Sequence, residues 1–172
     1  GTVLIIDDSH VIREKVRKVL GAEGLFENYV EAEDGMKGYK ALFEHSVSIV
    51  ICDVMMPGVD GFKFLSLKNS HEEFKTIPVI MLTGQSDTKT LVQALHSGAS
   101  DYIVKPFEDE ELLARIRVHN SLRESQDDLI SARDELATSH KQIHSIIEAI
   151  PEGLLVLDCS ETILMANQPI AD

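Results

Sequence analysis

Five short apolar runs, spaced by amphipathic stretches, decide what this chain can fold into. Val3–Asp7, Asn28–Ala32, the run Val47-Ser48-Ile49-Val50-Ile51-Cys52 ending at Asp53, Ile77–Leu82 and Asp101–Val104 read as strands. The segments between the runs carry helical periodicity. Ser9 stands as N-cap before a stripe of Val11, Ile12, Val16, Val19 and Leu20, closing near Gly21 to Gly24. Asp34-Gly35 turns into a helix with Tyr39, Leu42 and Phe43 facing inward. Pro57-Gly58 and Asp60-Gly61 precede a helix holding Phe62, Phe64, Leu65 and Leu67. A further helix over about residues 87–96 closes at Gly98. Strand, helix, strand in strict alternation predicts βαβ units, hence a parallel sheet covered on both faces. Right-handed crossovers then give an α/β, flavodoxin-like (βα)5 domain with strand order 2-1-3-4-5.

In such a sheet ligands bind at the carboxyl ends of the strands. Four runs end there in a charged or reactive group. Asp7 and Asp8 follow the first, Asp53 the third, Thr83 the fourth and Lys105 the fifth. Three carboxylates at neighbouring strand ends repel one another unless protons or a cation intervene. Helix capping does not account for all three. Oxygen donors alone favour Mg²⁺, which keeps several waters and bridges to phosphate oxygens. A metal, an ammonium and a hydroxyl together are suited to an in-line phosphoryl transfer. The acceptor in that chemistry is a carboxylate oxygen, giving an aspartyl-phosphate. Asp53 is the expected nucleophile because its strand lies mid-sheet with the other groups on either side.

Composition narrows the partners. The 172 residues carry 29 acidic against 16 basic side chains, a net charge of −13. That balance disfavours broad contact with a phosphate backbone, so no direct nucleic-acid binding is expected. No run approaches the ~20 apolar residues of a membrane span. The first residues show no basic n-region followed by an apolar h-region, so no signal peptide is expected among them. Two cysteines, Cys52 and Cys159, form no disulfide framework, and a reducing, cytoplasmic setting is the expectation.

Beyond Glu108 the pattern changes. No Gly or Pro occurs between Phe107 and Pro151. Leu122, Leu129, Leu136, Ile143 and Ile150 recur every seven residues, with Ser125, Ala132, Ser139 and Ile146 three positions on. That spacing predicts a coiled coil of modest stability, and a homodimer through it. Pro151 ends the helix. Leu154 to Asp158, a turn at Ser160-Glu161, and Thr162 to Met165 predict a β-hairpin. The last thirty residues are expected to open a third module, which these residues alone do not complete. His140 and His144 lie on the predicted coil and lack the Glu/Asp, Arg, Pro sequel of a kinase phosphohistidine; both are read as solvent-facing or seam residues.

Asp7-Asp8, the Asp53 strand with Met56-Pro57-Gly58-Asp60-Gly61, Thr83-Gly84 and Lys105-Pro106-Phe107 resemble the receiver domain of two-component response regulators. The likeness covers about residues 1–120. Residues 121–150 are then a coiled-coil signalling helix, and 151–172 resemble the incomplete start of a PAS domain, with Ile147, Ile150-Pro151, Gly153 and Met165-Ala166-Asn167 carrying that likeness. The receiver resemblance implies phosphorelay signal transduction: Asp53 accepts a phosphoryl group from the phosphohistidine of a histidine kinase or phosphotransfer protein. It implies Mg²⁺ held by Asp8, Asp53 and the Met55 carbonyl, with Asp7 acting through water. Thr83 and Lys105 would meet the phosphoryl oxygens, Lys105-Pro106 would be cis, and Thr83 with Tyr102 would form the switch. Met55 and Gln85 stand where the family tunes hydrolysis, and Met55 predicts a phosphorylated state that is not unusually short-lived. A receiver catalyses only its own phosphorylation and dephosphorylation; a longer parent could be a hybrid histidine kinase. A Mg²⁺-dependent phosphatase with an aspartyl nucleophile is disfavoured, because Met55 and Ser9 occupy the places where haloacid dehalogenase relatives need a second acid. A dimeric scaffold with a silent receiver site is the remaining alternative.

Overall fold

The computed structural model describes residues 1–84, 96–149, 155–157 and 163–166. It divides into two units, Gly1–Arg123 and Glu124–Asp172. The first holds a five-stranded parallel sheet ordered β2-β1-β3-β4-β5. Its strands are β1 (Thr2–Ile6), β2 (Asn28–Ala32), β3 (Ile49–Asp53), β4 (Val79–Thr83) and β5 (Asp101–Val104). The expected fold class and strand order are both observed. β4 starts two residues later than its apolar run, because Pro78 has no N–H to give the ladder and offers only its carbonyl, to Val50 N.

Period-two alternation sends each strand's side chains to two separate cores. Leu4, Ile6, Val50, Cys52, Val79 and Met81 pack under α2 (Gly35–Glu44) and α3 (Gly61–Asn69), joined by Phe74 from the short α4 (Glu72–Lys75). Val3, Ile5, Ile49, Ile51, Ile80, Leu82 and Ile103 face Val16 and Leu20 of α1 (His10–Ala22) and Leu112 and Ile116 of α5 (Asp109–Glu148). Each buried Leu, Ile or Phe contributes about 1.5–3 kcal/mol, so the two cores together make the sheet the rigid part of the unit.

Local signals fix the helix starts. Asp34 and Asp60 each accept the N–H three residues on, from Lys37 and Lys63, both at 2.8 Å. Asp109, Glu110 and Glu111 open α5 on its positive dipole end. Three expectations need correction. Ser9 occupies the N-cap position of α1 without a side-chain cap bond; its N–H goes instead to Asp7 Oδ1 at 2.8 Å. Val11 and Phe43 were expected inside but are exposed, at 71% and 57%, because each lies at the margin of its helical stripe. Conversely, α3 buries Lys68, which sequence reading left out.

The expected helix over residues 87–96, apart from His96, lies outside the described residues, as do Gln85, Ile150 to Leu154, Cys159 and Asn167. Gly98 has φ +92°, as befits a left-handed helix-terminating position. In the second unit, β6 (Leu155–Leu157) and β7 (Ile163–Ala166) pair antiparallel, the expected hairpin.

Candidate functional site

The site stands at the carboxyl edge of β1, β3, β4 and β5, where the alternation of buried side chains stops. Asp7 is the first residue past β1 and is fully buried; Asp53 is the last of β3 and nearly so; Asp8 is exposed. One carboxylate oxygen from each of Asp7, Asp8 and Asp53 lies within 4.8 Å of the others. Lys105 reaches in from the end of β5. Its Nζ is 2.6 Å from Asp7 Oδ2 and 2.9 Å from Asp53 Oδ2. Thr83 is buried at the end of β4, and its carbonyl accepts the Lys105 N–H at 2.6 Å.

Backbone contacts hold the carboxylates in place. Asp7 Oδ1 takes the Ser9 N–H, and the Asp7 carbonyl takes Arg13 Nη1 at 2.7 Å. The N–H of Met55 approaches Asp53 Oδ1 at 3.4 Å. Val54 N donates to Leu82 O, and Gly61 N to Val54 O, so the chain leaving Asp53 is pinned on two sides. Gly61 is required there. A Cβ on it would fall inside the van der Waals shell of the Asp53 carbonyl oxygen and 3.0 Å from the Val54 Cα. Gly58, with φ +78°, turns the loop between them. The Lys105-Pro106 bond is cis, as the receiver resemblance implies.

Electrostatics follow from that crowding. Burial pushes the Asp53 carboxyl above its ordinary range, and the nearby Asp7 adds to this, while the Lys105 ammonium opposes it. Burial works against the Lys105 charge, but its bonds to Asp7 and Asp53 outweigh that and hold the ammonium above its usual value. The arrangement is a carboxylate nucleophile beside a fixed cation, with hard oxygen donors grouped within reach of one ion. The donor set fits Mg²⁺: three carboxylates, no sulfur or imidazole ligand among them, and open coordination on the exposed Asp8 side.

Every residue expected at the edge is found there, and Asp7, Asp8, Asp53 and Lys105 are brought together. Met55 follows Asp53 with its side chain 66% exposed. Tyr102 is half-buried on β5, level with Met81 of β4, and the Arg115 guanidinium lies 5.7 Å from its ring centre. Arg115 itself is paired with Asp101 at 2.7 Å. Two supporting residues escaped sequence reading, Arg13 and Lys15. Both are charged residues of α1 near the apolar stripe, and only their placement beside Asp7 and Phe107 reveals a role.

Comparison with known proteins agrees with this geometry. Residues 3–117 match the family described as response regulator receiver domain. The transcriptional regulatory protein GltR of Pseudomonas aeruginosa is 36% identical over 151 residues, 83% of this chain and 61% of GltR. The phosphate regulon transcriptional regulatory protein PhoB of Klebsiella pneumoniae is 38% identical over 115 residues, 67% of this chain and 49% of PhoB. The chain thus spans about half to three-fifths of these relatives. Among solved structures, chemotaxis protein CheY4 of Vibrio cholerae superposes with a TM-score of 0.63 at 30% identity, covering 68% of this chain and 96% of CheY4.

Proposed function

This chain belongs to the response regulator receiver domain family, a family of phosphoryl-accepting signal transducers, and from that premise we propose that Asp53 is its phosphoacceptor. The observation that supports this most is the Lys105 ammonium bridging Asp7 and Asp53 at the sheet edge. In the reaction, an Asp53 carboxylate oxygen attacks the phosphorus of a phosphohistidine on a histidine kinase or phosphotransfer protein. The P–N bond breaks as the P–O bond forms, and the imidazole leaves with its electron pair and takes up a proton. Asp53 must be ionised to attack, and Lys105 favours that form against the desolvation that opposes it.

Asp7, Asp8, Asp53 and the Met55 carbonyl are the groups that would hold Mg²⁺. When bound, the ion draws charge from the transferring group and makes the oxygens of the site mutually compatible. Lys105 already bonds the Asp53 oxygen, so it can follow the negative charge onto the phosphoryl group without a new desolvation cost. The Thr83 hydroxyl donates to another phosphoryl oxygen, and Tyr102 moves with Thr83 as the switch. Met55, apolar and exposed, gives an attacking water no strong hydrogen bond, which favours a phosphorylated state lasting longer than seconds.

The output is carried by α5, whose apolar heptad stripe supports a parallel homodimer. Leu122, Leu129, Leu136 and Ile143 are 51–70% exposed on the single chain. Residues 151–172 are read as the start of a PAS-like module, consistent with the β6–β7 hairpin. A cytoplasmic location accompanies this reading. No described helix is long and apolar enough to cross a membrane.

The test is direct. Acetyl phosphate with Mg²⁺ is expected to phosphorylate wild type and leave Asp53→Ala untouched, read by intact mass. Equal modification of both would end the proposal.

A further inference from the structure

Phosphoryl acceptance as proposed above depends on how tightly the segment carrying Lys105 is held, and we infer that Lys15 of α1 is a positioning residue for that reaction. Its Nζ makes three contacts with the segment just past Lys105. It donates to the Phe107 carbonyl at 2.8 Å, lies 4.5 Å from the centre of the Phe107 ring, and stands 3.3 Å from Asp109 Oδ1. Phe107 is buried in the core that α1 shares with α5. The segment is therefore anchored at one end by Lys105 N on Thr83 O and at the other by Lys15.

The three contacts differ in weight. The pair with Asp109 joins side chains 39% and 57% exposed, and exposed ion pairs contribute little. The hydrogen bond to a backbone carbonyl beside a buried ring fixes both the position and the tilt of residue 107, two residues from the catalytic ammonium. Loss of that bond lets the end of β5 shift, and small displacements of a reacting group are expensive in rate. Lys15 touches neither Asp53 nor the incoming donor in this reading. It acts through Lys105.

The experiment uses the full 172-residue chain, Mg²⁺ and acetyl phosphate, with initial phosphorylation rates followed by intact mass. Lys15→Met keeps the methylene stem and removes the ammonium. It is expected to lower the saturating rate constant roughly three- to tenfold, while the KM for acetyl phosphate and the half-saturating Mg²⁺ concentration move less than about twofold. Lys15→Arg, which can still donate to the carbonyl, is expected to restore the rate to within about twofold, and Asp109→Asn to behave as wild type. If Lys15→Met melts below the assay temperature, Lys15→Gln carries the same comparison. An unchanged rate constant overturns the inference. So does a loss confined to KM, which would make Lys15 a charge that attracts the anionic donor. Failure of wild type itself to react at Asp53 would instead remove the proposed phosphoacceptor role, and this inference with it.

Discussion

Gly61 lies against the backbone of Asp53 so closely that no side chain fits between them. The first residue of α3 thus sets how far the end of β3 can move, and the Gly61 N–H on Val54 O fixes the distance. Gly61→Ala must push backbone rather than a flexible side-chain tip. It is expected to destabilise the fold by about 1–3 kcal/mol in urea unfolding, the usual size for an overpacked site. The phosphorylation rate of the folded fraction is expected to fall as well, because the displaced residue bears the proposed acceptor oxygen.

Asp53 is held at a cost. Its carboxyl is pushed up by burial, with Lys105 only partly offsetting this. A folded pKa above the unfolded value means that, above about pH 4, the unfolded chain holds fewer protons at this position than the folded one. Stability falls as pH rises from the unfolded value towards the raised folded one. Asp53→Asn is therefore expected to be more stable than wild type at pH 7, with a smaller gain near pH 4. Paired urea titrations at the two pH values measure it. A constant gain, or a loss at pH 7, would refute the electrostatic account.

Lys68 presents the opposite case. Its ammonium is enclosed beneath α3 and α4, bonded to Lys75 O at 3.0 Å and Asn69 Oδ1 at 3.2 Å. No carboxylate partner occurs among the described residues. Desolvation brings its pKa down to about 8 from 10.5. Between those values the unfolded chain retains a proton the folded chain has released, so stability contributed by this residue rises with pH from about 8 towards 10.5. Comparing wild type with Lys68→Met isolates it from the tyrosines. The free-energy difference is expected to move in favour of wild type across that range, and a flat difference would contradict the burial argument.

The heptad stripe of α5 predicts a concentration-dependent dimer. Leu129 and Leu136 are each 70% exposed on the single chain. Leu129→Glu with Leu136→Glu places like charges along the seam and is expected to give a monomer in sedimentation equilibrium. Acetyl phosphate labelling at Asp53 is expected to survive within about twofold, since both positions belong to the second unit and Asp53 to the first.

The sheet was legible because parallel strands buried on both faces appear as near-continuous apolar runs, and the residues that end them are conspicuous by contrast. Asp53 and Lys105 stand out in sequence for that reason. Lys68 did not, although it stands four residues after Phe64 and three after Leu65, on the face that α3 buries. Periodicity marked the position, but lysine is rarely enclosed, so side-chain type overruled spacing. Val11 and Phe43 failed in the other direction: each is apolar but sits at the edge of its helical stripe and stays exposed. Lys15 and Arg13 were illegible for a third reason. Their roles rest on backbone carbonyls, which carry no signature in a sequence.

Asp7 and Lys105 are separated by 98 positions along the polypeptide, yet share a single hydrogen bond. A ribosome must therefore deliver the fifth strand before the first one's carboxylate meets its counter-charge. Until then Asp7 and Asp53 lack the Lys105 ammonium that lies between them in the folded sheet. The contact between the two strand ends therefore forms only after the fifth strand is in place.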